Sequence, residues 1–262
     1  MSDKVILVVS FGTSYNNNRD LTIGAIEKAI QEKFPDYEIR RAFTSQMIIN
    51  KLKKRDNLEI DNVNDALKRA VNDGVKTLII QPTHIMDGTE YHFKILDELK
   101  GFEDKFKKIS IGNPLLITED DLENLLNIIT SDDKTDENTA ICFMGHGTPA
   151  ESNAVYTKLQ KKLIEKEFKH YYIGTVEAKP DYDDVLEMVK KGDYKKIILK
   201  PLMVVAGDHA QNDMAGDEED SWKSMFTSEG YEVECIVEGL AQSEAIRDMY
   251  IEHVQKAIDD LN

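Results

Sequence analysis

The chain has 262 residues, of which 41% are hydrophobic and 31% are charged, with 14 glycines and 6 prolines. This composition is typical of a globular protein, and the length suffices for one large domain or two domains of ordinary size. The net charge of −16 argues against nucleic-acid binding, which needs a basic face, and no apolar run approaches the roughly 18 residues of a membrane span.

The N-terminus and the cysteines predict a cytoplasmic protein. The first residues, MSDKVILVVSFGTSY, run directly into a strand-like segment and lack the basic region, separate apolar region and cleavage site of a secretory signal. Cys142 and Cys235 are far apart and each lies in an apolar run. This pattern favours buried free thiols in a reducing compartment over a disulfide or a cysteine-based zinc site.

Eight apolar runs of strand length alternate with amphipathic stretches. The runs are 4–10, 37–43, 75–82, 107–112, 139–145, 171–177, 194–201 and 231–238. Between them apolar residues recur at helical spacing, as in Ile23, Ile26 and Ile30, and again from Ile246 to Leu261. Strands rich in Val and Ile that alternate with helices predict an α/β fold whose parallel sheets are flanked by helices.

The sequence resembles itself across its two halves. VVSFGTSY aligns with CFMGHGTP at an offset of 147 − 12 = 135, and LIIQPTHIMDGTE aligns with IILKPLMVVAGDH at 201 − 82 = 119. The polar stretch 131–139 between the halves is typical of a linker. We therefore predict two similar α/β domains, 1–130 and 131–262, related by internal duplication, with helices free to cross over. A ligand cleft is expected between them, outside the carboxyl ends of the strands.

Three potential metal ligands follow successive strands of the second half. His146 follows the strand ending at Gly145, Glu177 ends the next predicted strand, and His209 follows the one after that. Because the carboxyl ends of parallel strands meet at one edge of a sheet, we expect these side chains to lie close together. Two imidazoles and a carboxylate predict a site for metal binding or proton transfer.

The first half has different residues at the equivalent positions. His146 aligns with Phe11, Glu177 with Phe43 at an offset of 134, and His209 with Glu90. Glu90 would then add a second carboxylate from the facing half.

Simpler roles remain open for these residues. His146 lies between glycines and would serve as a turn residue. Glu90 would fit the first turn of a helix capped by Thr89. Glu177 would pair with Lys179.

The common nucleotide and hydrolase motifs are missing from the sequence. It contains no GxGxxG after a strand, no GxxxxGK[ST], no HExxH and no GxSxG. Their absence disfavours dinucleotide binding, P-loop ATP hydrolysis, zincin proteolysis and α/β-hydrolase chemistry. A hydrolase that uses Ser10 or Ser14 with His146 is the weakest alternative, because the nucleophile-elbow pattern is missing.

Five motifs, in order along the whole chain, resemble those of the anaerobic cobalt chelatase family. They are VVSFGTSY, the stretch from Arg41 to Asp56 that begins RAFTSQMII, MGHG (144–147), PLMVVAGDHA with NDMAGD (201–217), and DSWK (220–223). The resemblance implies two flavodoxin-like domains. It also implies ATP-independent insertion of Co²⁺ into the tetrapyrrole sirohydrochlorin, in anaerobic cobalamin biosynthesis.

The resemblance also implies roles for individual residues. His146, Glu177 and His209 are similar to the family's metal ligands, and Glu90 to a further acidic active-site residue. Imidazole suits borderline ions such as Co²⁺, and a carboxylate anchors the ion less tightly than a thiolate would. We expect His146 and His209 to hold the metal with Glu177, and His146 or Glu90 to accept the pyrrole protons.

A polycarboxylate substrate conflicts with the acidic net charge, so a local positive rim is expected. The candidate cations are Arg40, Arg41, Lys51, Arg55 and Lys179. Of these, Lys51 and Arg55 follow the second strand and are favoured for substrate binding. Backbone N–H groups near Ser10, Thr13 and Ser14 would add anion contacts where a helix begins.

Two alternatives keep the same ligands but change the function. The first is chelation of Fe²⁺ or Ni²⁺, because ligand identity does not fix the metal. The second is a non-enzymatic carrier of tetrapyrrole or metal. No nucleic-acid or membrane partner is expected, and association into a homo-oligomer stays open.

Overall fold

The computed structural model describes residues 2–131 and 136–261. Of the predicted linker, residues 132–135 lie outside the described residues. None of the helices in the described ranges has both the length and the apolar character needed to cross a bilayer.

All eight predicted strands are present, with ends trimmed by up to three residues, and one short strand was not predicted. Within residues 2–131 and 136–261 the strands are β1 (Lys4–Ser10), β2 (Glu38–Phe43), β3 (Asp61–Asn62), β4 (Thr77–Pro82), β5 (Lys108–Ile111), β6 (Thr139–Gly145), β7 (Tyr171–Thr175), β8 (Lys196–Pro201) and β9 (Glu232–Cys235).

Helices connect these strands, and three π-helical segments interrupt the helical stretches of the described residues. The α-helices are α1 (Asn16–Arg19), α2 (Ala25–Lys33), α3 (Gln46–Asp56), α4 (Val63–Asn72), α5 (Thr89–Tyr91), α6 (Asp97–Leu99), α7 (Glu119–Thr130), α8 (Ala154–Glu165), α9 (Tyr182–Val189), α10 (Trp222–Ser228) and α11 (Glu244–Asp259). The π segments are Asp20–Gly24, His92–Leu96 and Ala210–Met214.

The strands form two parallel sheets, as predicted. One has the order β3-β2-β1-β4-β5 and the other β7-β6-β8-β9. If the two-residue β3 is set aside, both sheets have the order second, first, third, fourth. This is the doubly wound order in which a ligand site forms where the chain reverses direction across the sheet. The α/β prediction with two similar parallel sheets is confirmed.

The internal duplication is visible in the spacing of the strands. β1 and β6 differ by 135 residues at both ends (139 − 4 and 145 − 10), and β4 and β8 differ by 119 at both ends (196 − 77 and 201 − 82). The π segments His92–Leu96 and Ala210–Met214 follow at nearly the same offset, 210 − 92 = 118. The two strand offsets, 135 and 119, are those of the sequence alignment.

Backbone hydrogen bonds in the loops that follow the strands correct one pair of residues in the alignment of the two halves. The N–H of Ser45 donates to the carbonyl of Phe11 (3.2 Å), and the N–H of Glu177 donates to the carbonyl of His146 (2.9 Å). Ser45 is therefore the counterpart of Glu177, and the alignment with Phe43 was wrong. The physical reason is that β7 ends at Thr175, so Glu177 belongs to the following loop and not to the strand.

The chain forms two compact units that are not simple halves. One unit contains the residues up to 121 and those from 241 onward, and the other contains residues 122–240. The sequence placed the boundary at 130/131 and allowed for crossing helices. The chain returns to the first unit through α11. This helix packs on α2 and β4 and buries Ile246, Met249 and Tyr250. Burial of each of these side chains contributes about 1.5–3 kcal/mol.

Each unit has its own apolar core between its sheet and helices. In the first, alternate residues of β1 and β4 meet α4, namely Val5, Leu7, Val9, Leu78, Ile80, Ala66, Leu67 and Ala70. In the second, β6 and β8 meet α9 and α10, through Ala140, Cys142, Met144, Ile197, Leu199, Val185, Val189, Trp222 and Phe226. Cys142 is a fully buried free thiol whose pKa is raised by burial, as expected of a small core residue.

A buried imidazole–carboxylate pair ties α11 to the start of α7 within the first unit. His253 Nε2 lies 3.1 Å from Asp121 Oδ1, and its Nδ1 lies 3.2 Å from the carbonyl of Asn113. Asp121 Oδ2 also accepts hydrogen bonds from the N–H groups of Ile117 (3.0 Å) and Thr118 (2.7 Å). Burial by itself would raise the pKa of the Asp121 carboxyl, but these hydrogen bonds together hold that pKa below its usual value.

We expect Asp121→Asn to lower the free energy of unfolding near pH 7 by about 1–3 kcal/mol, because buried donors lose a charged acceptor. A lowered folded-state pKa adds stability that is present above the unfolded value, about 3.9, and is lost as pH falls through the folded value. The difference in the free energy of unfolding between wild type and Asp121→Asn should therefore shrink below about pH 4. Urea unfolding of both proteins between pH 7 and pH 3 measures this difference.

Asp120→Asn is the matched control, because Asp120 is exposed in the same helical turn. A difference between wild type and Asp121→Asn that stays constant across this pH range would contradict the prediction.

Candidate metal centre

The three predicted metal ligands all lie at one edge of the second unit's sheet. His146 directly follows β6, Glu177 lies two residues beyond β7, and His209 directly precedes the π segment Ala210–Met214 in the connection after β8. These three strands are neighbours in the order β7-β6-β8 and run parallel. Their carboxyl ends therefore bring the three side chains to the same place.

The three side chains are close enough to share one ion. One ligand atom from each of His146, Glu177 and His209 lies within 4.8 Å of the other two. Glu177 lies between the imidazoles: its Oε2 is 3.7 Å from His146 Nδ1, and its Oε1 is 3.8 Å from His209 Nε2. The two imidazole rings are perpendicular, with centroids 4.6 Å apart. Side-chain exposures of 48%, 52% and 31% leave the group open to solvent.

Gly147 allows the loops after β6 and β7 to approach each other. Its φ of +87° lies in the left-handed region, which favours glycine. A Cβ at this position would lie only 2.8 Å from the backbone nitrogen of Ala178 and 2.9 Å from Thr175 Oγ1. The close approach keeps the N–H of Glu177 bonded to the carbonyl of His146. The glycine after His146 is thus required by the geometry of the site.

Each imidazole is oriented by a hydrogen bond at its Nδ1. His146 Nδ1 lies 2.8 Å from the carbonyl of Gly147, and His209 Nδ1 lies 2.8 Å from Asp213 Oδ2. Carbonyl and carboxylate oxygens only accept, so both imidazoles donate from Nδ1. His209 then faces Glu177 with Nε2, the nitrogen through which a metal would be bound, whereas His146 faces Glu177 with the Nδ1 that holds its proton.

Sequence reasoning missed Asp213. It lies four residues after His209 in the π segment, so both side chains emerge on the same side of the helical stretch. The available signal was the HxxxD spacing in DHAQNDM, which places a carboxylate one helical turn from a suspected ligand.

The donor set suits borderline divalent ions. Two imidazoles and one carboxylate favour Co²⁺, Ni²⁺, Fe²⁺ or Zn²⁺ over the hard ions that need oxygen ligands. Neither cysteine belongs to the set. Without thiolates, and with half-exposed ligands, an ion would be held but remain available for exchange.

Two polar residues in the segment that follows β4 are half-buried, each with side-chain atoms that solvent does not reach. Glu90 lies in α5, and its Oε2 is buried without a hydrogen-bond partner among the described residues. The helix has Gly88 and not Thr89 as its N-cap, one residue before the predicted position, and Glu90 lies in its first turn, as that interpretation expected. Both ring nitrogens of His84 are likewise buried without a partner in residues 2–131 and 136–261, and burial lowers its pKa to about 4.

The segment predicted to contact the substrate through its backbone N–H groups has buried side chains. Ser10, Thr13 and Ser14 are all buried. The Thr83 hydroxyl donates to Ser10 Oγ (2.8 Å), and Thr13 Oγ1 accepts from the N–H of Tyr15 (3.2 Å). Any contact of this segment with an anion is left to its backbone N–H groups.

Most of the cations predicted for a positive rim are already paired with carboxylates, as expected in a chain with 49 acidic and 33 basic residues. The pairs are Arg40 with Glu38 and Asp73, Arg41 with Glu27, Arg55 with Asp56, and Lys179 with Asp181 and Asp184. Lys179 therefore does not pair with Glu177. Lys51 is exposed on α3, and no ion pair joins it to a carboxylate of the described residues.

A groove lies elsewhere in the first unit. It has a volume of about 650 Å³ and is lined by α2, the preceding π segment and the start of α11. None of the predicted site residues lines it. The chemistry of the donor set, and not the volume of a cavity, identifies the candidate site.

We expect Gly147→Ala to lower the midpoint of thermal unfolding and to weaken Co²⁺ binding. The left-handed backbone costs about 1–2 kcal/mol for alanine, and the contacts with Ala178 and Thr175 force the loops apart. Gly230→Ala is the control, since Gly230 has a φ of +94° but nothing within 4 Å of its Cβ position. If the midpoint of thermal unfolding fell equally in both variants and Co²⁺ binding did not change, Gly147 would not be needed for the close approach of the two loops.

Comparisons with known proteins agree on one family. The family model described as Cobalt chelatase (CbiK) matches residues 4–259. A sirohydrochlorin cobaltochelatase of Salmonella typhimurium strain LT2 is 36% identical over 98% of this chain and 97% of its own length. The sirohydrochlorin cobaltochelatase CbiKC of Nitratidesulfovibrio vulgaris strain Hildenborough is 32% identical over 100% and 93%.

A solved structure supports the fold. SirB from Bacillus subtilis, determined with Fe³⁺, superposes with a TM-score of 0.68 over 99% of this chain and 97% of its own, at 14% identity. At that identity the likeness concerns the fold alone. The match to the family model over nearly the whole chain, together with the two full-length relatives, shows that this chain belongs to the cobalt chelatase family.

Proposed function

We propose that this chain inserts Co²⁺ into sirohydrochlorin, with release of two protons, in the anaerobic biosynthesis of cobalamin. One observation is central. In a chain of the cobalt chelatase family, the only group of three metal-ligating side chains found among the described residues is the exposed cluster His146, Glu177 and His209. Both full-length relatives are named for this activity.

The cluster fits the metal half of the reaction. Insertion requires that water be removed from Co²⁺ and replaced by ligands that later give way to the macrocycle nitrogens. Two neutral imidazoles and one carboxylate replace water without the tight grip of thiolates. Exposure of His146 and Glu177 leaves one side of a bound ion open to an incoming ring.

The proton half of the reaction needs a base. Metal insertion displaces two pyrrole N–H protons, and His146 and Glu90 are the two candidate acceptors. A histidine accepts a proton at neutral pH without help. A carboxyl group with a buried oxygen that has no partner among the described residues, as in Glu90, gains a hydrogen bond when it meets an N–H donor.

No nucleotide is needed in this proposal. The sequence has no P-loop motif, and the reaction only exchanges protons for a divalent ion. The cytoplasm remains the proposed location, in keeping with two free cysteines.

We expect wild-type protein to metallate many equivalents of sirohydrochlorin with Co²⁺ under anaerobic conditions without ATP, as followed by absorbance. His209→Ala should reduce kcat/KM by at least about 100-fold, because the ion loses one of its three ligands. His170→Gln is the matched control, since His170 lies in the same unit but outside the cluster.

Each contrary outcome has a defined meaning. A wild-type rate equal to the enzyme-free rate would reject chelation, and stoichiometric binding without turnover would indicate a carrier. Faster insertion of Fe²⁺ or Ni²⁺ than of Co²⁺ at equal free concentration would change the metal and leave the reaction class intact.

Lys51 is the best remaining candidate for a contact with the substrate carboxylates, because no ion pair with the described residues offsets its charge. We expect Lys51→Glu to raise the KM for sirohydrochlorin several-fold with little change in kcat, and the effect should weaken as ionic strength rises. Lys28→Glu, an exposed lysine on α2, is the control. Identical KM values for wild type and Lys51→Glu would remove Lys51 from the proposed rim.

A further inference from the structure

The two imidazoles of the cluster are not equivalent, and the difference lies in what holds each Nδ1. His209 Nδ1 donates to a carboxylate, Asp213 Oδ2, at 2.8 Å. His146 Nδ1 donates to a neutral backbone carbonyl, that of Gly147, at the same distance. Hydrogen bonds to an ionised acceptor are roughly twice as strong as those between neutral groups.

The hydrogen bond to Asp213 fixes the direction of the His209 lone pair. With the proton held on Nδ1, the lone pair is on Nε2, which is also the nitrogen nearest Glu177, 3.8 Å from its Oε1. A carboxylate behind a ligating imidazole fixes its tautomer and orientation and thereby strengthens it as a metal ligand. His209 is the less exposed of the two imidazoles, with 31% against 48%. It is therefore the better oriented and the more strongly donating ligand.

Asp213 also changes the charge of the site. Glu177 supplies one negative charge to a bound divalent ion, and Asp213 supplies a second through His209. Together the two carboxylates would balance the charge of M²⁺, although only Glu177 belongs to the group of side chains that would ligate it. Positions on the ion would then remain for the incoming macrocycle.

We propose that Asp213 is a positioning residue that makes His209 the anchor for the ion, whereas His146 is the ligand that leaves first during transfer. The inference deepens the proposed function, because it assigns an order to the release of ligands from the same site. Asp213 need not touch the metal or the substrate: it acts through His209. Its side chain is half exposed and its loss leaves no buried cavity, so a purely structural role would show in thermal stability and not in metal binding.

The test is titration of the purified full chain with Co²⁺ alone, without tetrapyrrole, followed by calorimetry and by the visible spectrum of bound Co²⁺. We expect Asp213→Ala to weaken Co²⁺ binding by about 10–100-fold, the usual effect of removing a carboxylate behind a ligating histidine. Asp213→Asn keeps an acceptor for Nδ1–H but loses the charge, so its affinity should fall between those of wild type and Asp213→Ala. The midpoint of thermal unfolding without metal should not change in either variant.

Asp217→Asn is the matched control, because Asp217 lies four residues further along, is exposed and pairs only with Lys223 among the described residues. Its Co²⁺ affinity and spectrum should equal those of wild type. Among ligand variants, His209→Ala should lose more Co²⁺ affinity than His146→Ala.

Two results would overturn the inference. The first is Co²⁺ affinity and a bound-Co²⁺ spectrum in Asp213→Ala that match wild type. The second is a larger loss of affinity in His146→Ala than in His209→Ala. Because no tetrapyrrole is present, both results can be read even if the protein proves not to turn over sirohydrochlorin, which separates failure of the inference from failure of the proposed function.

Discussion

Parallel pairing of β6 with both β7 and β8 is the constraint on which the candidate site depends. All seven residues of β6 are buried, so this strand is fixed within its sheet and the next residue, His146, must emerge at the carboxyl-terminal edge. The register then determines where the neighbouring connections begin. A backbone bond from Glu177 to His146 and the helical turn after His209 complete the cluster. The ligands come from three loops, but a single rigid sheet sets the distances among them.

The internal duplication gave both units the same backbone arrangement after their strands, but different side chains at these positions. The corresponding loops hold Phe11 and Ser45 in the first unit and His146 and Glu177 in the second, with the same backbone hydrogen bond in each. An apolar ring has no ligand atom and a neutral hydroxyl is a poor ligand for borderline divalent ions, whereas an imidazole and a carboxylate bind them well. The fold thus provides a position for functional side chains without specifying what they do.

The acidic composition affects metal and substrate in opposite ways. A net charge of −16 attracts divalent cations over distances up to the Debye length and repels a polycarboxylate. The excess of carboxylates also neutralises the arginines by pairing, as with Arg40, Arg41 and Arg55. Favourable contacts with the substrate must therefore be local, made by cations that no carboxylate has paired.

Sequence alone determined eight of the nine strands of the described residues, the duplication and the identity of the three candidate ligands, because apolar runs and the residues that follow them can be read from the chain itself. It did not determine the place of Glu177 beyond the end of β7, the return of α11 to the first unit, or the hydrogen bond from His209 to Asp213. It also did not show that the Ser10 hydroxyl is buried. These features depend on strand register, on side-chain direction and on contacts between segments far apart in the chain. Only the tertiary structure decides them, because the free energy of such contacts depends on which distant groups pack together and not on the local pattern of residues.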